Sequence, residues 1–208
     1  MPDTHVYSPP QVAELQSSPG RRAVLASAVA VLHEQGVDAV TLREVARRSG
    51  VAQSAPARWF GSKVGLLAAV AEEGYTDLYA AIDRAVARIP RDEALLRLQA
   101  TAKVWVSWVL AQPARYRVMT SGAVPGDVTI QSGLRVFGRL VRYIEQGQAA
   151  GTVRTWPATE LALVFLSTLH GLAMLMIDGR LGSMGVDLAD TDKLAALVAD
   201  RVAQGLST

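Results

Sequence analysis

Residues Thr41–Lys63, TLREVARRSGVAQSAPARWFGSK, decide the fold. Leu42, Val45 and Ala46 recur at helical spacing and face inward, leaving Arg43, Arg47 and Arg48 outside. Thr41-Leu42-Arg43-Glu44 has the form of a capping box: the Thr41 hydroxyl accepts from the Glu44 amide while the Glu44 carboxylate reaches back to Thr41. Ser49-Gly50 marks a tight turn, because a left-handed position suits glycine. A second short helix then runs from about Gln53 to Phe60. Ala52 stands where a capping Ser or Thr is expected, and Pro56 lies near the first turn, where a missing amide is best tolerated. Two short helices around such a turn, with arginines outward, are the sequence form of a helix-turn-helix, which offers one helix to a DNA major groove.

The flanking segments are also helical. Upstream, Ser18 caps a helix opened by Pro19, striped by Leu25, Ala28, Val29 and Leu32 and closed by Gly36. Residues 1–17, with Pro2, Pro9 and Pro10, read as a flexible arm. Downstream, Ser62 caps a long helix from Lys63 to about Arg88, stopped by Pro90. Further helices are expected over Asp92–Leu110, Pro113–Thr120, Thr129–Gln148, Pro157–Asp178 and Asp190–Leu206, with loops at Gly122–Asp127, Gly151–Pro157 and Gly179–Val186. Alternating strand runs and solenoid-length repeats are absent. The expected class is all-α. An N-terminal helix-turn-helix unit spans 18–63, and a larger helical ligand-binding and dimerisation unit spans 64–208, joined by the helix from 63 to about 88.

The chain has 208 residues, half of them hydrophobic, enough for a substantial core in one or two domains. Net charge is only +2, but its distribution is uneven. Gly20–Lys63 holds seven basic and three acidic residues, a net of +4, while fourteen of each balance from Val64 onward. The positive surplus therefore sits on the proposed DNA-binding unit. The absence of cysteine excludes disulfides, thiolate metal sites and cysteine nucleophiles, and fits a reducing cytosol. MPDTHVYSPPQVAELQ lacks the basic segment and apolar run of a signal peptide, so the expected location is cytoplasmic. Leu161–Ile177 is the most apolar run, but it is short for a bilayer span and contains Ser167, Thr168, His170 and Gly171. It reads as a buried interface helix, with no membrane partner.

Through most of Val24 to Tyr75 the chain resembles the TetR/AcrR family of bacterial transcriptional regulators. The match comprises Gly36, Thr41, Val45-Ala46, Gly50-Val51, Phe60, Lys63 and Leu66-Leu67, in the family's order and spacing. Three positions depart from it: Ala52 replaces a usual Ser, and Ala57 and Trp59 replace the usual Tyr and His before the Phe. In the family that Tyr and His commonly touch the DNA backbone. Ala57 has no side-chain donor for that role, while the Trp59 indole N–H is a candidate phosphate donor. Leu169-His170-Gly171, PARYRVM (Pro113–Met119) and GTVR (Gly151–Arg154) resemble a subgroup whose C-terminal part carries a Trp-His-Gly signature, here with Leu169 for the Trp. The resemblance implies a repressor that binds a palindromic double-stranded DNA operator as a nucleoid-associated homodimer and is released by a small molecule.

On the second short helix the expected DNA-facing residues are Gln53, Ser54, Ala55 and Arg58. Gln53 suits adenine, Arg58 guanine or phosphate, and Ala55 a thymine methyl. Thr41, Arg43 and Lys63 lie at helix starts, where amides and side chains can hold phosphates. The apolar helices Pro157–Asp178 and Asp190–Leu206 offer a surface for dimerisation as a four-helix bundle. Trp105, Trp108, Tyr116, Met119, Phe137, Leu166, His170 and Met174 are candidate linings of a cavity for a small hydrophobic effector. Leu166, His170 and Met174 recur every fourth residue, and Trp105 and Trp108 are three apart; ordinary core packing is the competing reading.

An enzyme is not expected. The chain lacks a phosphate-binding loop, a dinucleotide turn, an HExxH motif and paired Glu-x-x-His. Its histidines are His5, His33 and His170, and one pocket histidine without a positioned nucleophile makes no catalytic site. Neither a cofactor nor a metal is expected. The alternative left open is a helical dimeric interaction protein that has lost DNA binding.

Overall fold

The computed structural model describes residues 18–122, 124, 126–185 and 191–207. The expected arm at 1–17 lies outside them, as do parts of the expected loops at 122–127 and 179–186. The described residues form helices α1 (Pro19–Gln35), α2 (Leu42–Ser49), α3 (Ala55–Phe60), α4 (Lys63–Val86), α5 (Ala94–Ala111), α6 (Pro113–Thr120), α7 (Gly126–Ala149), α8 (Ala158–Ile177), α9 (Arg180–Ser183) and α10 (Thr191–Leu206). No strand is present among them; the only β pairing is an isolated bridge between Val153 and Ser207.

The helix boundaries follow from local chemistry. The Ser18 hydroxyl accepts from the Arg21 amide at 3.3 Å, Pro19 opens α1, and Gly36 ends it at φ 83°. Thr41 caps α2 through the Glu44 amide at 3.1 Å, and Gly50 takes the left-handed turn position at φ 68°. Ser62 caps α4 through the Gly65 amide at 3.2 Å. Three expectations need correction. α7 starts at Gly126, inside the expected loop at Gly122–Asp127. The second short helix starts at Ala55, not Gln53, with Ser54 at its cap position. The expected loop after α8 contains the short helix α9, whose Leu181 is buried in the core.

α1, α2 and α3 pack with the start of α4 into an N-terminal head. Val24, Leu25, Ala28, Val31, Val40, Val45, Ala46, Leu66 and Leu67 fill its centre. α4 then runs on into the C-terminal bundle, where it packs against α5, α6 and α7. α5 lies beneath α10, while α8 lies against both α5 and α7. The head also meets the bundle directly, because α1 packs on α6. The loop after α7 is fastened to the end of α10. Arg154 donates from its amide to the Leu206 carbonyl at 3.0 Å, and its guanidinium reaches the Ser207 carbonyl.

α8 is 20 residues long, with a mean hydropathy of 1.8 in its most apolar window, so length and composition alone would let it cross a membrane. Only 39% of that window is buried within one chain. Its inner face, with Leu161, Ala162, Phe165, Leu169 and Ala173, is core. Leu163 and Val164 stand out from it, each 57% exposed.

Candidate nucleic-acid interface and interior cavity

The two faces of α3 are sharply different. Ala55 and Pro56 point into the head, whereas Gln53, Ser54, Ala57 and Arg58 are exposed. Ala55 is only 5% exposed, which corrects its assignment to a thymine methyl. With the helix beginning two residues later than expected, its first residue turns inward.

Trp59 is a second correction. Its indole nitrogen is buried and, among the described residues, makes no hydrogen bond, so it is not presented as a phosphate donor. The ring lies over Gly20 of α1, where a Cβ would come within 2.9 Å of it, and beside Val51. The indole fills space that glycine leaves open, and the hydrophobic gain of burying a large aromatic surface holds it there. Arg21 stacks over the Phe60 ring at 4.8 Å, and Arg58 lies over the Trp59 ring at 5.8 Å from its centre.

Thr41 and Arg43 are exposed at the start of α2, and among the described residues Arg43 makes no ion pair. The Lys63 amine donates to the Asp38 carbonyl at 3.2 Å, tying the start of α4 to the loop before α2. The expected capping box forms only by half. Instead of reaching back to Thr41, the Glu44 carboxylate accepts from Arg47 at 2.6 and 2.9 Å and from Arg48 at 2.8 Å. Arg48 also bridges to Glu34 of α1 at 2.8 Å. Two guanidinium partners outweigh a single backbone amide as donors to a carboxylate. Hydrogen bonds from Arg47 and then Arg48 hold the Glu44 carboxyl down at about 2, so it stays ionised wherever DNA would be bound.

Glu44 thus neutralises part of the positive surplus, and Glu44→Gln is expected to release it. Affinity for random-sequence duplex should rise. The log–log salt dependence should steepen by roughly 0.9 for each arginine that gains a phosphate. Fluorescence anisotropy on a labelled duplex across a salt series checks this; an unchanged slope means both arginines stay turned away from DNA.

In the bundle, a cavity of about 150 Å³ is lined by Tyr75, Trp105, Tyr116, Thr120, Gly133, Val136, Phe137, Leu166 and His170. Five of the eight expected residues meet there: Trp105, Tyr116, Phe137, Leu166 and His170. The His170 Nδ1 and the Tyr116 hydroxyl lie 2.8 Å apart in a hydrogen bond. Trp105 meets Tyr116 edge-on at 6.4 Å between ring centres, and Tyr116 and His170 are 5.7 Å apart. Burial pushes the Tyr116 hydroxyl up to about 12, with Trp105 opposing it, so the phenol remains neutral.

Trp108, Met119 and Met174 do not line the cavity. Eight residues of helix rise about 12 Å, so α8 has run past so small a space before Met174. Met119 turns toward α4 instead, where a Cβ on Gly74 would lie 2.5 Å from its sulfur; Thr120, one turn after Tyr116, takes the lining position. Trp108 packs half-buried against the outer core. Tyr75, Thr120, Gly133 and Val136 were not singled out in the sequence. The available signal was Tyr75 beside the buried stripe Ala71, Gly74 and Leu78 of α4.

Comparison with known proteins agrees with this architecture. Residues 24–70 match the family described as bacterial regulatory proteins, tetR family. Residues 98–202, half of the chain, match the tetracyclin repressor-like C-terminal domain. An HTH-type transcriptional regulator of Mycobacterium tuberculosis is 30% identical over 140 residues, which cover 65% of this chain and 56% of that protein. The chain therefore spans little more than half the length of the curated relatives it matches. A solved structure of a protein of unknown function from Rhodococcus sp. RHA1 is 33% identical, with a TM-score of 0.78 over 92% of this chain and 97% of that one. A bacterial regulatory protein in the tetR family from Rhodococcus RHA1 shares the fold at 22% identity, with a TM-score of 0.73 over 91% and 98% of the two chains. The head with its exposed α3, the continuous α4 and the helical bundle behind it are thus those of a known class: the chain belongs to the TetR family of bacterial transcriptional regulators.

Proposed function

We propose that the protein binds a palindromic operator as a homodimer and acts as a repressor released by a small, largely apolar effector. The observation that carries the DNA-binding part is the polarity of α3: Ala55 and Pro56 anchor it while Gln53, Ser54 and Arg58 face outward. Side chains of these types can read base edges in the major groove, and Thr41, Arg43 and Lys63 supply phosphate-holding groups around them. A six-residue helix covers little DNA. Two copies related by a twofold axis would set their α3 helices in half-sites about 34–36 Å apart. A DNA partner implies action in the cytoplasm.

The test is Arg58→Ala in a gel shift with DNA from upstream of the protein's own gene. Loss of about 1–3 kcal/mol, roughly 5- to 150-fold in affinity, is expected with an unchanged melting temperature. Unchanged affinity would remove Arg58 as a reader. The rival reading, a dimeric interaction protein without DNA binding, draws support from Ala57 and from the inward indole of Trp59. Absence of any footprint on that DNA would favour it.

The cavity supports the effector part. α6 connects it to the head: Tyr116 lines the cavity, Met119 packs against Gly74 of α4, and the Arg115 guanidinium pairs with Asp77 of α4 at 2.7 Å. The same short helix packs on α1. A ligand that displaces Tyr116 would therefore shift α6 against both elements that orient α3. It must bind the two head arrangements unequally, because equal binding shifts nothing.

A further inference from the structure

We propose that the effector is an amphipathic anion, with a group about the size of a benzene ring in the inner cavity and a carboxylate held at its mouth by Arg135. This rests on the reading of that cavity as the effector site and adds the chemical class of what fills it.

Size sets the first limit. A dry apolar cavity of about 150 Å³ accommodates a benzene-sized guest. The inner cavity has that volume, so it holds one ring or a short branched alkyl group and little more.

Charge sets the second. Among the described residues, no Asp, Glu, Lys or Arg lines the inner cavity. Tyr116 stays neutral, and His170 is engaged with its hydroxyl. An ionised carboxylate seated there would lose its hydration with no guanidinium or ammonium group among the described lining residues to replace it, which is costly. A charged end must therefore lie outside.

Such a place adjoins it. A second cavity of about 350 Å³ is lined by Tyr75, Thr76, Tyr79 and Arg135, and Tyr75 is common to the two. The Tyr75 hydroxyl donates to the Met119 carbonyl at 3.1 Å, which fixes the ring as the dividing wall. Opposite it, Gly133 of α7 contributes no side chain; a Cβ there would stand 3.6 Å from the Tyr75 oxygen. The partition is thus one aromatic ring against bare helix.

Arg135 is the cation of the outer cavity. It is exposed and, among the described residues, has no ion-pair partner. Neighbouring arginines are committed: Arg139 stacks on Tyr79 and pairs with Asp83, and Arg115 pairs with Asp77. The acidic residues Glu72, Glu73 and Asp77 line a further cleft with Arg21, which meets the outer cavity at Thr76; none of the three lines the outer cavity among the described residues. A guanidinium fork, with the aromatic wall of Tyr75 and Tyr79 beside it, suits a planar carboxylate.

The experiment titrates the full chain by calorimetry with 3-phenylpropionate, 4-phenylbutyrate and 6-phenylhexanoate, and with the primary amide of each, at low and at high salt. At least one acid is expected to bind about tenfold more tightly than its amide at low salt, with the advantage shrinking as salt rises. Arg135→Gln should abolish that difference and leave amide affinity unchanged. Equal binding of acids and amides, untouched by Arg135→Gln, overturns the anion assignment while leaving the effector cavity standing. Leu166→Trp, which fills the inner cavity, separates the two ideas. It should abolish binding of acids and amides alike, and undiminished binding would show that the ring is not seated there, overturning both. Absence of binding by every member of the series also overturns the proposal.

Discussion

Leu163→Glu is expected to convert a dimer into monomers and to lower operator affinity by about 10²–10⁴-fold, with α3 itself untouched. Leu163 and Val164 form an apolar ridge on α8, and Leu197 of α10 is 50% exposed. Both helices have an inner apolar face already consumed by the bundle: Phe165 and Leu169 on α8, Ala195, Ala199 and Ala203 on α10. An outer apolar face left over on two neighbouring helices is what a self-complementary twofold interface uses. A carboxylate at its centre would meet its own symmetry mate in a desolvated contact, where like charges are costly. Sedimentation velocity reads the assembly state and a gel shift reads the affinity. The large loss arises because a second head bound to the same DNA acts at high effective concentration, and a lone head has none. A dimer that survives Leu163→Glu would place the interface elsewhere on the surface.

Gly65→Ala is expected to damage the head more than any substitution of an exposed residue, although it adds a single methyl group. Gly65 lies in the first turn of α4, against the end of α3. A Cβ there would fall 2.0 Å from the Phe60 carbonyl oxygen. That oxygen belongs to the backbone and already accepts from the Ser62 amide at 2.8 Å, so no side-chain rotation relieves the clash. The α3–α4 junction must open. Overpacking of this kind costs about 3 kcal/mol at the upper end of its usual range. It should also turn α3 relative to α4 and remove operator binding. Thermal unfolding and the gel shift together test it. Gly138→Ala on α7, where a Cβ would meet nothing within 4 Å, is the control of opposite sign, expected to stabilise by about 0.5–1 kcal/mol. A Gly65→Ala protein that melts and binds as the parent does would show that the junction is more compliant than its geometry implies.

Much of the architecture was legible in the sequence because its signals are local. The Ser18-Pro19 start, Thr41 as cap, Gly50 in the left-handed turn and Ser62 before the long helix depend on chemistry within four residues, and all four recur in the structure. The apolar stripes of α1, α2, α4 and α8 needed only a 3.6-residue period. The site was legible in part. Exposure of Gln53, Ser54 and Arg58 agreed with the pattern, whereas Ala55 did not: it is the first residue of α3 and packs into the head with Pro56. Five cavity residues converged as expected; Trp108, Met119 and Met174 share helices with them but not direction or depth.

The sequence by itself determined that the chain is helical, that its head is a helix-turn-helix and that its positive surplus lies there, since propensity, capping and composition act over short distances. Only the tertiary structure decided which groups meet. Trp59 turns inward because Gly20, 39 residues earlier, leaves room for its ring. Glu44 abandons its own helix terminus because Arg48, pulled toward Glu34 of α1, completes a stronger cluster. Tyr75, Tyr116, Gly133 and His170 come from four helices and enclose one small space. Contacts of that kind depend on how helices cross, and no periodicity within a single helix records the angle at which another will lie against it.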